Sequence, residues 1–391
     1  MNFDEIIERR GTHSSKWDRM EEVSGVSPSD GLPMWVADMD FRPPACVTDA
    51  VRAYVDHGIF GYFGDDSAYL DAIRWWARER HGWDIVDEGA IFSTHGLVNG
   101  AALAMQTWTQ PGDGIILFTP VYHAFHKVIA AAGREVVQCQ LAERDGRYEM
   151  DFDAYDAQMS GREKMIILCS PHNPGGRCWS VAEQQALAAF AERHDLIVVS
   201  DEIHCDIVMP GHRHIPFAVA APGAKARTVM MTAGTKTFNL AGMHTGNVIV
   251  EDESLRAAFG ATMAGLGLSP NAFGKHMMTA AYSPAGAAWV DALCVYLDGN
   301  RQVFDAGIAE IPGVRSMPLE GTYLSWVDFA GTGMDRDEVM QRIAGQAWIA
   351  VNQGPAFGNG GETWNRFNIA TPRARIVEAV ERLQKAFSDL Q

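Results

Sequence analysis

A chain of 391 residues is long enough for one large domain and a smaller one, each with its own core. With 47% hydrophobic and 21% charged residues it is far from the composition of a disordered chain, and its formal charge of −17, from 49 acidic against 32 basic side chains, opposes binding to nucleic acid or anionic lipid. No apolar run approaches the roughly 20 residues that span a bilayer, and the opening MNFDEIIERRGTHSSKWD has no apolar core of a secretory signal, so the expectation is a cytoplasmic protein with no membrane partner.

The first 45 residues hold an early helix and then Pro33, Pro43 and Pro44, which predicts an arm crossing to another domain or subunit. From residue 46 to residue 284, apolar runs of strand length alternate with amphipathic helical stretches, the pattern of a mainly parallel sheet covered by helices on both faces. The predicted strands are Gly114 to Phe118, Glu135 to Gln138, Met165 to Cys169, Leu196 to Ser200, Thr228 to Thr232 and Asn247 to Val250. Ser180-Val-Ala-Glu183 reads as a capping box opening a helix that runs to about His194. Residues 285 to 391 change character: a helix over Ala285 to Ala309, short strands near Thr322 to Phe329 and Arg366 to Ile369, and a helix from Arg375 predict a smaller α+β domain. Six cysteines without a CxxC pair read as reduced thiols, and the histidine pairs 123/126 and 212/214 lack a helical HExxH, so no metal is expected.

Ligands of parallel α/β sheets gather at the carboxyl ends of the strands, and four loops there carry chemistry. Ser93-Thr-His-Gly-Leu-Val-Asn-Gly100 is a glycine-bearing turn into a helix over Ala101 to Trp108, whose free N–H groups and dipole suit a phosphate. Leu168-Cys-Ser-Pro-His-Asn-Pro-Gly-Gly176 either makes a plain turn or holds Asn173 as a rigid donor. Val198-Val-Ser-Asp201-Glu-Ile-His204 ends a strand with two carboxylates and an imidazole, where a buried Asp201 would keep a pyridine nitrogen protonated. In Met231-Thr-Ala-Gly-Thr-Lys236, a lysine follows a strand among small and apolar residues. Most lysines are solvated surface groups, but one so placed acquires a lowered pKa and forms Schiff bases.

Together these segments resemble the fold-type I enzymes of the aminotransferase class I/II superfamily that use pyridoxal 5'-phosphate (PLP), and within it the cystathionine β-lyase, or C–S lyase, branch. The resemblance covers nearly the whole chain. It rests further on Val36-Ala-Asp-Met-Asp-Phe41, Gly58-Ile-Phe-Gly-Tyr62, Thr119-Pro-Val-Tyr122, Lys236-Thr-Phe-Asn-Leu-Ala-Gly242 and Asn368-Ile-Ala-Thr-Pro-Arg373. It implies an α/β fold with a mainly parallel seven-stranded sheet in a large domain and a smaller α+β domain. It also implies Lys236 as the Schiff-base lysine and general base, Asp201 at the pyridine nitrogen, Asn173 and His204 near the phenolic oxygen, and Tyr122 stacked on the ring. Gly96, Leu97 and Thr235 fall at the phosphate, which Tyr62 reaches from the neighbouring subunit of a homodimer. Arg373 is expected to grip the substrate carboxylate, with Asp40 among the residues that select its side chain. Two departures stand out: Ala233 where the family has a phosphate-binding serine, and His244 where many aminotransferases have an arginine. The implied reaction is β-elimination of a thiol from cystathionine or a related S-substituted cysteine, giving pyruvate and ammonia. Transamination of a small amino acid is the alternative, and a regulatory role through a protein partner is a third reading.

Overall fold

The computed structural model describes every residue except 269, 270 and 391. Its centre is a seven-stranded sheet in the order Ile91–Thr94, Gly246–Ile249, Thr228–Thr232, Ile197–Asp201, Glu163–Cys169, Gly114–Thr119, Glu135–Gln140. All neighbours run parallel except Gly246–Ile249, which is antiparallel to both strands beside it. The edge strand Ile91–Thr94 is absent from the strands predicted from composition: its sequence, Ile-Phe-Ser-Thr, is too short and too polar to stand out.

Side chains alternate across this sheet, and both faces are dry. Ile116, Phe118, Ile166, Leu168, Val198 and Met230 enter one core cluster, while Ile115, Leu117, Met165, Ile167, Val199, Val229 and Met231 enter another on the opposite face. That is why the central strands read as unbroken apolar runs, as strands covered by helices on both sides must. Burying each such side chain stabilises the fold by about 1.5–3 kcal/mol. The helix Leu97–Trp108 packs through Leu103, Ala104 and Met105 on one face, and Val181–Arg193 through Leu187 and Phe190 on the other. The latter opens with the expected capping box, Ser180 and Glu183 each bonding the other's backbone N–H.

Toward the C-terminus, the helix Pro284–Ala309 packs against Arg373–Ala386 and beside a four-stranded antiparallel sheet ordered Arg315–Ser316, Leu324–Asp328, Trp364–Asn368, Asn352–Gln353. The N-terminal segment adds to this region, with Leu32–Pro33 pairing in parallel with Ile349–Ala350. It is then pinned at Asp40, whose buried carboxylate meets Lys16 Nζ at 3.0 Å, Arg9 at 2.8 Å, Arg375 at 3.4 Å and the Trp17 N–H at 3.1 Å. Among the described residues no helix is long and apolar enough to cross a membrane.

Candidate active site

The sheet directions bring the chemically unusual loops to one edge. The strands ending at Thr94, Thr119, Cys169, Asp201 and Thr232 all finish there, and antiparallel Gly246–Ile249 begins there, two residues after His244. Between these ends lies a cavity of about 210 Å³ lined by Gly96, Leu97, Tyr122, Asn173, Asp201, His204, Thr235, Lys236 and His244, together with Ala37 from the N-terminal segment. Nine positions singled out from the sequence thus share one site.

Each is placed by its local backbone. Gly96 takes φ = 86°, a left-handed value that favours glycine, and so turns the chain into the helix Leu97–Trp108, whose first residues Leu97 and Val98 line the cavity. Lys236 sits on the single turn Gly234–Thr237 after its strand, and its Nζ donates to the Ala37 carbonyl at 2.6 Å. The Tyr323 hydroxyl donates to that same carbonyl at 3.0 Å. Tyr122 caps the helix His123–Ala131 and meets Phe125 edge-on. His204 lies edge-on to Tyr323, and its buried Nδ1 has no hydrogen-bond partner. Ala233 is buried at the start of the lysine turn and does not line the cavity.

The electrostatics are those of a site prepared for chemistry. Burial lowers the Lys236 amine to about 8, with Arg366 acting in the same direction and Asp38 and Asp201 opposing. Burial raises the Asp201 carboxyl to about 7, although the Ile203 N–H, 3.1 Å from one oxygen, favours its charged form. Burial likewise drives His204 well below the ordinary imidazole range, so that it is neutral at pH 7. Such a floor suits a ring nitrogen that brings its own proton to Asp201, a carbonyl carbon on Lys236 and an anion at the helix start.

Three positions are not in this cavity. Arg373, expected to hold a carboxylate, points instead at the helix Pro284–Ala309: its Nε donates to Asn300 at 2.5 Å and an Nη to the Tyr296 carbonyl at 3.0 Å. It fits there because residue 299 is glycine; a Cβ would lie 2.6 Å from the guanidinium. Asp40, expected to face the substrate, is committed to its ring of cations and the Trp17 indole, 1% of its side chain being exposed. Tyr62 is fully exposed beside Ile59, and lines a separate open groove of about 780 Å³.

Sequence reasoning missed Arg366. It is fully buried, donates to Asn173 Oδ1 at 3.0 Å, to the Trp35 carbonyl at 2.9 Å and to Asn352, and lies over the Phe357 ring. Burial lowers it to about 10, and it acts electrostatically on Tyr122, Lys236 and His204. The signal was present: an arginine in the strand Trp-Asn-Arg-Phe-Asn, on the same face as Trp364, needs a buried purpose.

This fold and site define an enzyme of the aminotransferase class I and II family, to which the chain belongs: the family profile matches residues 36–383. Along its length the chain is similar to the cystathionine beta-lyase PatB of Bacillus subtilis (strain 168), at 39% identity over 99% of this chain and all of that protein. Among solved structures it is similar to cystalysin of Treponema denticola, which contains a pyridoxal 5'-phosphate cofactor, with a TM-score of 0.94 and 34% identity over 100% of this chain and 99% of that one. The PLP-bound C-S lyase of Staphylococcus hominis superposes with a TM-score of 0.92 and 29% identity, over 100% and 98% of the two chains.

Proposed function

We propose that this protein is a PLP-dependent C–S β-lyase that cleaves cystathionine or related S-substituted cysteines with water to a thiol, pyruvate and ammonia. The observation that carries the proposal is the meeting of Lys236, its amine lowered to about 8, with the buried Asp201 in one cavity of a chain that resembles a cystathionine beta-lyase end to end. Bound there, PLP supplies an electron sink for the charge left when the α-proton departs.

The residues present fit that group. Lys236 carries it and, once freed, takes the α-proton as general base; an amine of this basicity is partly unprotonated at neutral pH. Asp201 holds the ring-nitrogen proton, and the ion pair relieves a carboxylate otherwise buried without a cation. Asn173 and neutral His204 would meet the phenolic oxygen, and Tyr122 would stack on the ring. The start of the helix at Gly96 and Leu97, with Thr235, would hold the phosphate, and His244 lines the same cavity in place of an arginine. We assign the substrate α-carboxylate to Arg366 rather than Arg373: its guanidinium, already aligned by Asn173, Trp35 and Asn352, keeps a buried Nε–H without a partner and one Nη–H for a carboxylate.

The same reading places Tyr62 at the phosphate of a second copy, which would cover the groove beside it and make the active form a homodimer. Mixing the Lys236→Ala and Tyr62→Ala variants is expected to restore activity in hybrid dimers that carry one intact site; no recovery would leave each site self-contained. The reading also divides the chain into an arm to residue 45, a large domain to 284 and a small domain beyond, and keeps the protein in the cytoplasm, in accord with six free cysteines.

The reaction is tested by incubating the purified holoenzyme with L-cystathionine and no keto acid. Continuous pyruvate release that disappears in Lys236→Ala supports the lyase. A single turnover that converts the cofactor to its pyridoxamine form would overturn it in favour of transamination.

A further inference from the structure

Lys236 and Asp201 must keep a fixed separation if both are to serve one bound ring, yet Asp201 ends the strand Ile197–Asp201 and Lys236 lies on the turn that follows Thr228–Thr232. The six residues from Asp201 to Asp206 bridge that gap. Asp206 is buried, and one of its oxygens accepts from the Thr237 hydroxyl at 2.7 Å, the residue immediately after the lysine. Its other oxygen accepts from the Trp76 indole at 2.9 Å and meets His81 Nε2 at 2.8 Å, both on the helix Ser67–His81. Trp76 also lies edge-on to Phe238, two residues past the lysine. The short loop therefore begins at the ring-nitrogen partner and ends tied to the lysine turn.

Asp206, Cys205 and His81 each bring a metal-ligating atom to within 4.8 Å of the others. Asp206 nevertheless spends both oxygens on three donors, and burial beside Asp206 and Glu202 pushes the Cys205 thiol well up, away from the thiolate a cation needs. The group is a satisfied hydrogen-bond knot rather than a cation site.

We propose that Asp206 is a positioning residue which, through the Thr237 hydroxyl, sets Lys236 relative to Asp201. A four-residue helical turn has little rigidity of its own, so a charge-assisted bond at its last residue fixes the direction in which Lys236 projects. The proposal rests on the assignment of Lys236 as base.

The test replaces the donor and spares the buried acid. Thr237→Val keeps the shape and removes the hydroxyl, while Thr237→Ser keeps the hydroxyl and removes the methyl group. L-Cystathionine turnover is measured per mole of bound cofactor, alongside the melting temperature of each holoenzyme. We expect kcat to fall roughly tenfold in Thr237→Val with KM within about twofold of the parent, and Thr237→Ser to stay within about twofold on both, because misplacement of a reacting group costs rate more than binding. A merely structural threonine would lower melting temperature in both variants and leave kcat per bound cofactor alone. Parent-like kcat in Thr237→Val, or equal losses in both variants, overturns the proposal. Lys236→Ala separates the two ideas: if it is inactive while Thr237→Val is unimpaired, only the tie fails, and if it is itself active the assignment of the base fails with it.

Discussion

Two buried aspartates divide this molecule into a region that holds and a region that reacts. Asp40 and Asp201 are both almost wholly removed from water, at 2% and 4% exposure, yet their carboxyls move in opposite directions. For Asp40, burial is outweighed by Lys16, Arg375, the Trp17 N–H and Arg9, and the group is held well below the usual carboxylate range. For Asp201, burial prevails and carries the carboxyl to about 7. A buried charge whose partners come from its own chain is architecture; one whose partners are missing awaits something from outside.

Removing each charge should therefore damage different properties. Asp201→Ala is expected to lower kcat on the order of 10³-fold while the protein still folds, since the electrostatic support is needed only as charge reaches the ring. Steady-state kinetics on the cofactor-loaded variant check this, and a loss below tenfold would erase the distinction. Asp40→Asn should instead lower the unfolding free energy by about 3 kcal/mol, because buried Lys16 and half-buried Arg375 lose the carboxylate they close on, while Arg9 keeps Asp38. Its kcat should move little; urea melts beside activity measurements give both numbers.

Two arginines sharpen the same contrast. Arg366→Ala should raise KM for cystathionine by about 100-fold, the cost of one buried charge-assisted contact. Arg373→Ala should leave KM within about threefold, since that guanidinium serves Asn300 and Tyr296. Reversal of the two effects would return the carboxylate to Arg373. This is where sequence reading reached its limit. The sheet, the lysine turn and Asp201 were legible because each is local: an apolar run, then small residues, then one ionisable group. Arg366 and Arg373 lie seven residues apart around the same Asn-Ile-Ala-Thr-Pro segment, and which one faces inward depends on pairing between Leu324–Asp328 and Trp364–Asn368 and on Gly299 in a distant helix. Asp40 was misjudged for a similar reason, because its cations come from residues 9, 16 and 375, two of them near the start of the chain and one near its end.

The last expected effect is a dependence of stability on pH in cofactor-free protein. In the unfolded chain an aspartate titrates near 3.9, as a generic value, whereas folded Asp201 titrates at about 7. Between those values the folded state binds the extra proton, so stability falls as pH rises through the window, by up to about 1.4 kcal/mol per pH unit, and levels off above it. Asp40 contributes with the opposite sign: its stabilisation is full above the unfolded value and is lost only as pH falls below roughly 4. His204, lowered by burial, favours the folded state as pH rises, but equally in the parent and in Asp201→Asn. The difference between those two proteins therefore isolates Asp201. Urea midpoints from pH 4.5 to 7.5 should show the parent losing stability relative to Asp201→Asn as pH increases, and saturating PLP should reverse the trend by supplying the missing cation. Parallel curves would mean that Asp201 is already ionised without a partner, and that the two aspartates are not of different kinds.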